Sequence, residues 1–344
     1  METHETYMQR CLDLAIKGMG HVAPNPMVGS VVVHNGVIIG EGYHQQYGDP
    51  HAEVNAIASV TDQSLLVHST LYVNLEPCSH FGKTPPCADL ILSKKIPRVV
   101  IGSYDPNPKV SGKGIERLRN AGVEVITEVL KAEADYLNRR FLTFYTKQRP
   151  FIILKWAQSS DGFMGLNEPK QVWLTGAEAK KLSHKWRTEE QAILVGRNTV
   201  TVDDSELTSR LWPGKNPLRI VIDKTLTLPL DKKVFNTEAA TLIFNERENK
   251  VNGHLEYVKL DFNTHVPQQI VEELYRRNIQ SVIIEGGANT LQQFIATNLW
   301  DEARVFTTTH VLKEGKHAPA IQGEVIEEIK IEKDNLNLYL NPGS

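Results

Sequence analysis

One histidine, two cysteines and one glutamate constrain the fold of this chain more than any other feature. His51 and Glu53 stand two positions apart, and Cys78 and Cys87 follow in a second segment. A catalytic zinc ion needs three protein ligands and an open position for water, and imidazole and thiolate groups suit it. If His51, Cys78 and Cys87 hold one ion, their segments must meet in the fold. Glu53 then remains free to act as a general acid and base.

The local sequence predicts how these segments are built. Residues 51–58 and 87–94 are predicted helices, and residues 70–75 are a predicted strand that ends just before Cys78. A helix N-terminus lowers the pKa of a nearby thiol, so we expect both cysteines to be ready to bind metal as thiolates. A closed, purely structural zinc site is the alternative, and it would require a fourth ligand, for which His44 and His80 are the candidates.

Strands and helices alternate through the whole chain, which indicates α/β architecture. A hairpin is predicted at residues 30–40, and a second series of strands is predicted at 151–155, 191–196, 218–222, 240–244 and 281–285. A charged, helix-like segment separates the two series. A length of 344 residues also favours two domains, which we place at residues 1–147 and 148–344.

Charge and composition restrict the partners. The chain carries 38 basic and 41 acidic residues, so its net charge of -3 favours neither nucleic acid nor an anionic membrane. The first residues are polar and no apolar run approaches the length of a membrane span, which leads us to expect a cytoplasmic protein. Three cysteines are too few for a disulfide framework, and Cys11 is expected to be a small buried thiol.

The order His-x-Glu followed by Pro-Cys resembles the cytidine deaminase family, in which the glutamate is the general acid/base and not a ligand. The resemblance implies a three-layer α/β domain for the first half. The spacing of the cysteines departs from the usual pattern, because nine positions separate Cys78 from Cys87 instead of three. We expect the inserted loop, residues 79–86, to line the pocket. Two rival functions are a nucleic-acid-editing deaminase, which the charge and an aromatic content of 7% disfavour, and a zinc-stabilised protein without activity, in which Glu53 would have no use.

The longer motif at residues 76–87 resembles the bifunctional riboflavin-biosynthesis deaminase/reductase family. Further family-like segments lie at residues 25–29, 42–44 and 105–108. The resemblance implies that a phosphoribosylated pyrimidine is the small-molecule substrate, that zinc is bound by His51, Cys78 and Cys87, and that Glu53 is catalytic. It also implies that several polar residues contact the pyrimidine or its ribose phosphate, namely Asn25, His44, His80, Lys83, Asp105 and Asn107.

From residue 151 onward the chain resembles the reductase half of the same family, which implies a dihydrofolate-reductase-like α/β fold and NADPH as the second cofactor. The implied cofactor-binding residues are Ala157, Trp173, Thr199, Asp203, Gly286 and Gly287. The implied substrate-binding residues of the reductase are Lys155, Gln171, Arg187, Leu207, Arg210 and Glu285. Without the resemblance, core packing would be the preferred role of Trp173, and Gly286-Gly287 would be as consistent with a tight turn.

The remaining expectations for this half are structural. The glycine pair is not a Gly-x-Gly-x-x-Gly fingerprint, so a Rossmann fold is not predicted. Thr175 and Glu178 match a capping box, which predicts that a helix begins there. By analogy with the family, we expect the protein to be a homo-oligomer that associates through its reductase domain.

Overall fold

The computed structural model describes residues 3–79, 85–108, 110–168 and 170–343, and the chain divides into two units, Met1–Gln148 and Arg149–Ser344. Each unit has its own sheet and its own hydrophobic clusters. Among the described residues, no helix has the length and apolar character needed to cross a membrane.

The described part of the first unit contains one sheet of five strands. They are β1 (Gly29–His34), β2 (Val37–Tyr43), β3 (Thr70–Leu75), β4 (Arg98–Ser103) and β5 (Glu124–Ile126), in the order β2-β1-β3-β4-β5. β1 is antiparallel to β2 and β3, whereas β3, β4 and β5 are parallel. Asn35 and Gly36 join β1 to β2 with φ values of 48° and 80°, which suits a two-residue hairpin turn. The hairpin predicted at 30–40 is confirmed.

Helices cover both faces of this sheet. They are α1 (His4–Ala15), α2 (Ala52–Ala58), α3 (Cys87–Ser93), α4 (Lys113–Asn120), α5 (Lys131–Leu137) and α6 (Arg139–Lys147). Val31 and Val33 of β1 belong to a cluster with Met8 of α1. Val32 faces the other way, into a cluster with Ile57 of α2. Alternate burial along β1 therefore places helices on opposite faces, and the predicted three-layer fold is confirmed.

The strand register gathers four chain segments at one end of this sheet. Ser30, near the start of β1, pairs with Val73 near the end of β3, and Leu75 pairs with Ser103 at the end of β4. The segment before β1 and the segments after β2, β3 and β4 therefore lie together. Carboxyl ends of parallel strands are where sites form in α/β sheets.

The second unit contains a larger mixed sheet, with ten strands in residues 149–168 and 170–343. The strands are β6 (Phe151–Gln158), β8 (Ala192–Gly196), β9 (Leu218–Ile222), β10 (Thr241–Asn245), β11 (Lys250–Asn252), β12 (Leu255–Lys259), β13 (Ser281–Ile284), β14 (Glu302–Thr307), β16 (Glu324–Ile331) and β17 (Asp334–Leu340). Their order is β11-β12-β10-β9-β8-β13-β6-β14-β17-β16. The strands from β12 to β14 in this order are parallel, and β11, β17 and β16 are antiparallel to their neighbours.

A small antiparallel pair and four helices complete the described part of this unit. The pair is β7 (Phe163–Gly165) with β15 (Lys316–His317), and the helices are α7 (Ala177–Glu189), α8 (Arg197–Asp203), α9 (Val266–Arg276) and α10 (Ala288–Ala296). Leu274 of α9 and Phe294 of α10 pack in the cluster of Ile152. Trp186 of α7 packs in the cluster of Ile153, the next residue of β6, and so covers the opposite face.

The start of α7 and the strand β16 differ from what the sequence patterns predict. The N-cap of α7 is Gly176, without a side-chain hydrogen bond, so the predicted capping box with Thr175 is wrong although the helix is present. The sequence patterns also do not predict β16. Six of its eight residues are exposed and four are charged, and the strict apolar alternation of a half-buried strand is missing along most of its length.

Candidate active sites

The first site is a cluster of metal-binding side chains in the unit Met1–Gln148. His51 precedes α2, Cys78 follows β3, and Cys87 is the first residue of α3. The Nδ1 atom of His51 is 3.6 Å from the Sγ of Cys78 and 3.4 Å from the Sγ of Cys87. Zinc bonds of about 2.0 Å to nitrogen and about 2.3 Å to sulfur, at tetrahedral angles, separate such atoms by about 3.6 Å. The donor set therefore fits one zinc ion.

Within the described residues, the ligand group contains these three side chains, whose ligating atoms lie within 4.8 Å of one another. His44, a candidate fourth ligand, is not a member. Its Nδ1 lies 3.1 Å from the carbonyl oxygen of Pro50 and its Nε2 lies 3.1 Å from the Nδ2 of Asn25. His80, the other candidate, lies outside the described residues, as does Lys83.

The two cysteines of the cluster have opposite acidities. Hydrogen bonds from Cys87 and from His51 lower the pKa of Cys78 to about 4, although burial opposes the shift. One of these bonds comes from the backbone N–H of Cys87, at the start of α3, and is 3.3 Å long. The hydrogen bond to Cys78 and burial raise the pKa of Cys87. The expectation that both cysteines bind metal as thiolates stays a prediction.

Glu53 lies beside this cluster on the first turn of α2. It is 3% exposed, and its side chain forms a hydrogen bond with Cys87. Burial raises the pKa of Glu53 to about 7, against the opposing effect of His51. Its carboxyl group can therefore exist in both protonation states near neutral pH.

Asn25 and His44 form a hydrogen-bonded pair at the same end of the sheet. A carbonyl oxygen can only accept, so the ring of His44 donates from Nδ1 to Pro50 and accepts from Asn25 at Nε2. Burial lowers the pKa of His44, which favours this neutral form. One N–H of the Asn25 amide is thereby used, and the pair leaves its Oδ1 as an acceptor for a ligand.

Asp105 and Asn107 follow β4. Asp105 is 8% exposed and accepts a hydrogen bond from the backbone N–H of Asn107 at 2.8 Å. Burial, with the negative charges of Glu76 and Cys78, raises the pKa of Asp105 to about 7. The structure thus brings Asn25, His44, Asp105 and Asn107 to the sheet end that also supplies Cys78.

Sequence reasoning missed the residues that hold this region in place. The carboxylate of Glu76 is buried and accepts the backbone N–H groups of Gly112 and Gly114 at 3.0 Å, at the start of α4. A Cβ on Gly114 would lie 2.1 Å from the carbonyl oxygen of Pro77, so only glycine fits there. Glu76 could have been noticed in the sequence, because it belongs to the same motif as Cys78. Its hydrogen-bond partners could not be predicted from that motif, because they lie about 40 positions further along the chain.

The second site is a cavity of about 490 Å³ in the unit Arg149–Ser344. It is lined by residues from β6, β7, β8, α7 and α8, by loop residues between these elements, and by Glu285 just after β13. Most of the predicted reductase residues line it, namely Lys155, Ala157, Gln171, Trp173, Arg187, Thr199, Asp203, Leu207, Arg210 and Glu285. Trp173 is 62% exposed, so the core-packing role considered for it is wrong.

Three charged groups lie at the centre of this cavity. Arg187 donates to Glu285 at 2.7 Å and to the carbonyl oxygen of Thr208 at 3.0 Å. Burial alone would raise the pKa of Glu285, but Arg187 and Lys155 outweigh it and lower that pKa to about 2. Burial lowers the pKa of Lys155. The site therefore holds a lysine that can release a proton more easily than an exposed one, beside a carboxylate that stays charged.

A neighbouring cavity of about 630 Å³ lies at the carboxyl ends of β8 and β9 and at the start of α10. Gly287 lines it, and Thr199 lines both cavities. The backbone N–H of Gly287 donates to the Oγ1 of Thr199 at 3.1 Å. Among the described residues that line these two cavities, Gly286 is not included. Gly286 instead allows close packing, because a Cβ at this position would lie 3.0 Å from the Cβ of Thr290.

The cavity of about 630 Å³ is also lined by positively charged side chains that were not predicted as site residues from the sequence. Lys224 follows β9 and Lys316 lies in β15, and both line the cavity with Arg197. A cationic pocket beside a helix N-terminus suits phosphate groups. The position of Lys224 after a parallel strand was a usable signal, because ligands bind at such strand ends.

Comparison with known proteins gives consistent results for both units. The family described as the cytidine and deoxycytidylate deaminase zinc-binding region matches residues 1–103, and the RibD C-terminal domain family matches residues 150–340. The riboflavin biosynthesis protein RibD of Aquifex aeolicus is 42% identical over 341 residues, which cover 96% of this chain and 94% of that protein. The RibD protein of Bacillus amyloliquefaciens is 40% identical, over 95% of this chain and 90% of its own length.

Solved structures match the whole chain as well. A diaminohydroxyphosphoribosylaminopyrimidine deaminase/5-amino-6-(5-phosphoribosylamino)uracil reductase from Thermotoga maritima superimposes with a TM-score of 0.90 at 38% identity, covering 98% of both chains. RibD of Acinetobacter baumannii superimposes with a TM-score of 0.88 at 28% identity, again covering 98% of both chains.

Proposed function

Because this chain belongs to the family of bifunctional riboflavin-biosynthesis deaminase/reductases, we propose that its two halves act one after the other on a single pyrimidine. Residues 1–147 would deaminate 2,5-diamino-6-(5-phosphoribosylamino)pyrimidin-4-one. Residues 148–344 would then reduce the ribosyl group of the aminouracil product to a ribityl group. The family uses zinc for the first reaction and NADPH for the second.

The observation that carries the deaminase assignment is the position of Glu53 beside His51, Cys78 and Cys87. These three side chains would hold zinc, which when bound acidifies a water molecule and so supplies a nucleophile near neutral pH. The carboxylate of Glu53 would take the proton of the attacking water and return it to the leaving amino group. Its burial against Cys87 excludes bulk water from this carboxylate and keeps it within reach of the cluster.

The rim of the first site would bind the pyrimidine and its ribose phosphate. The bond from the Asn25 amide to His44 orients this side chain, and its Oδ1 would accept from a ring N–H of the pyrimidine. Asp105 and Asn107 would contribute further polar contacts from the end of β4. His80 and Lys83, which would hold the phosphate end, lie outside the described residues.

The two cavities of the second unit support the reductase assignment. Thr199 and Gly287, which meet where the cavities adjoin, would hold NADPH together with Ala157, Trp173, Asp203 and Gly286. NADPH when bound supplies the hydride. Arg187 and Arg210 would bind the substrate phosphate, with Gln171 and Leu207 beside them, and Lys155 would give a proton to the ribosyl oxygen from its Nζ. Glu285 would hold Lys155 and Arg187 in place.

Two further points belong to the proposal. A cytoplasmic location is supported by three free cysteines, two of which are needed as reduced metal ligands. Association into a homo-oligomer through the reductase half is proposed by analogy with the family. Sedimentation of the full chain and of a chain that begins at residue 149 would test it, and a monomer at micromolar concentration in both would contradict it.

The experiment that tests the central assignment is Glu53→Gln in the full zinc-loaded chain. The substitution preserves size and ligands but removes the proton acceptor. We expect ammonia release to fall at least about 100-fold, the scale of general acid–base catalysis, with unchanged zinc content. NADPH oxidation on separately supplied aminouracil should be unchanged. Glu133→Gln, an exposed position of α5, is the control. Undiminished ammonia release in the Glu53 variant would remove the assigned role.

A further inference from the structure

His184 is a buried residue of the reductase cavity that has no part in the reaction as described above. It is 2% exposed and lines the cavity from α7. Lys180 and Arg187, four residues before and three residues after it, line the same cavity. Residues at these spacings share one face of a helix. His184 therefore faces the cavity between two cations of its own helix.

A backbone contact defines which nitrogen of His184 carries the proton. The N–H of Leu211 donates to the Nδ1 of His184 at 3.5 Å. An N–H group can only donate, so Nδ1 accepts and the neutral ring carries its proton on Nε2. The bond from Leu211 is the one hydrogen bond of the ring within residues 149–168 and 170–343, and Nε2 is not among the fully buried unpaired atoms there, so its N–H is open to the cavity. His184 thus presents an unused N–H donor at the cavity.

The charges around His184 keep the ring neutral. Arg187 and Lys180 come from α7, Arg210 comes from the loop that contains Leu211, and Glu285 comes from the end of β13. Burial and then the two arginines lower the pKa of His184 to about 4, and Glu285 opposes them only partly. A neutral donor that shares a cavity with two guanidinium groups is an arrangement that suits a phosphate, whose terminal oxygens accept several hydrogen bonds at once.

We propose that His184 binds the substrate phosphate in the reductase, with its Nε2–H as a third donor between Arg187 and Arg210. The inference rests on the proposed function, in which these two arginines hold that phosphate. A merely structural histidine would also connect α7 to the loop, as the bond from Arg187 to Thr208 already does. That role uses only Nδ1, however, and it leaves the Nε2–H at the cavity, where an oxygen of a bound phosphate can accept from it.

The test separates the two nitrogens with a matched pair of variants in the full chain. In His184→Asn, the side-chain oxygen can replace Nδ1 as the acceptor for Leu211, but the donor at Nε2 is lost. In His184→Gln, the longer amide can restore a donor near Nε2. The reductase is assayed with the aminouracil substrate, with its dephosphorylated ribosyl counterpart, and with inorganic phosphate as a competitive inhibitor. The KM for NADPH is measured as a readout of the intact cofactor site.

For His184→Asn we expect the KM of the phosphorylated substrate to rise at least about 10-fold, the lower end of the effect of losing one hydrogen bond to a charged group. The inhibition constant of inorganic phosphate should rise in parallel, while kcat changes much less. The KM of the dephosphorylated substrate should stay within about 2-fold, and His184→Gln should recover most of the loss. Equal effects on both substrates would mean that His184 only connects α7 to the loop, and would overturn the inference.

Arg210→Gln distinguishes this failure from failure of the proposed function. If Arg210→Gln weakens the phosphorylated substrate selectively and His184→Asn does not, the role of His184 is refuted while the phosphate site stands. If neither variant discriminates between the two substrates, the phosphate does not bind there, and both the proposed site and the role of His184 are wrong.

Discussion

Glu76→Gln is expected to destabilise the unit Met1–Gln148 although Glu76 binds neither metal nor substrate in the proposed reaction. The carboxylate is 4% exposed. One oxygen accepts the N–H groups of Gly114 at 3.0 Å and Ile115 at 3.4 Å. The other accepts those of Gly112 at 3.0 Å and Asp105 at 3.4 Å. This single side chain therefore joins the end of β3 to the start of α4.

The magnitude follows from what glutamine can still accept. Glutamine keeps one oxygen, and its NH₂ group then faces N–H donors on the other side. The replaced oxygen loses one bond of 3.0 Å and one long, weak bond of 3.4 Å, and the loss of the shorter bond to a charged group is worth about 1.5–3 kcal/mol. The lost charge at the helix N-terminus adds about 0.3–1 kcal/mol. We therefore expect a loss of about 3 kcal/mol in the free energy of unfolding, which lowers the midpoint of this unit by about 6–12 °C.

Thermal unfolding measures the loss of stability, and hydrogen exchange shows which backbone amides become less protected. The amides of residues 105–120 should lose protection in Glu76→Gln, and bound zinc should be released at lower chelator concentrations, because Cys78 follows Glu76 by two positions. Glu116→Gln is the matched control, since it removes the same charge from an exposed position in the first turn of α4 and should alter stability by no more than about 1 kcal/mol. A Glu76 variant as stable as the control would refute the reasoning.

Two further predictions concern the cofactors and the buried charges. Removing zinc with a chelator should abolish ammonia release and leave NADPH oxidation intact; continued deamination without metal would contradict the assignment of His51, Cys78 and Cys87. Glu285→Gln should abolish reduction and destabilise the second unit by about 3–5 kcal/mol, because Lys155 and Arg187 lose their buried counter-charge. The pKa of Glu285 falls from 4.5 to about 2 on folding, so its stabilisation is complete above about pH 4.5 and declines as the pH falls towards 2. Calorimetry between pH 2 and 6 measures this, with the exposed Glu178→Gln variant as control; a Glu285 variant with the stability of that control would contradict it.

Much of the fold could be predicted from local sequence patterns. The valines of β1 and the Asn35-Gly36 turn specify a hairpin, because β-branched residues favour strands and this dipeptide favours positive φ. The strands that begin at 151, 218 and 281 are likewise short apolar runs that lie buried in a parallel sheet. β16 was not predictable in this way, since most of its side chains are exposed and its place in the sheet depends on pairing with β17 and on the packing of Ile329 and Ile331.

The sequence by itself determined the chemistry available to this protein: which side chains can bind zinc, which carboxylate can transfer protons, and which arginines can bind phosphate. Those properties belong to residue types and to short spacings. Only the tertiary structure decided how these groups are tuned, because pairs distant in the chain set burial, tautomer and charge. The N–H of Leu211 determines which nitrogen of His184 carries the proton. Arg187 and Lys155 keep Glu285 ionised. Glu76 joins the segment of Cys78 to α4.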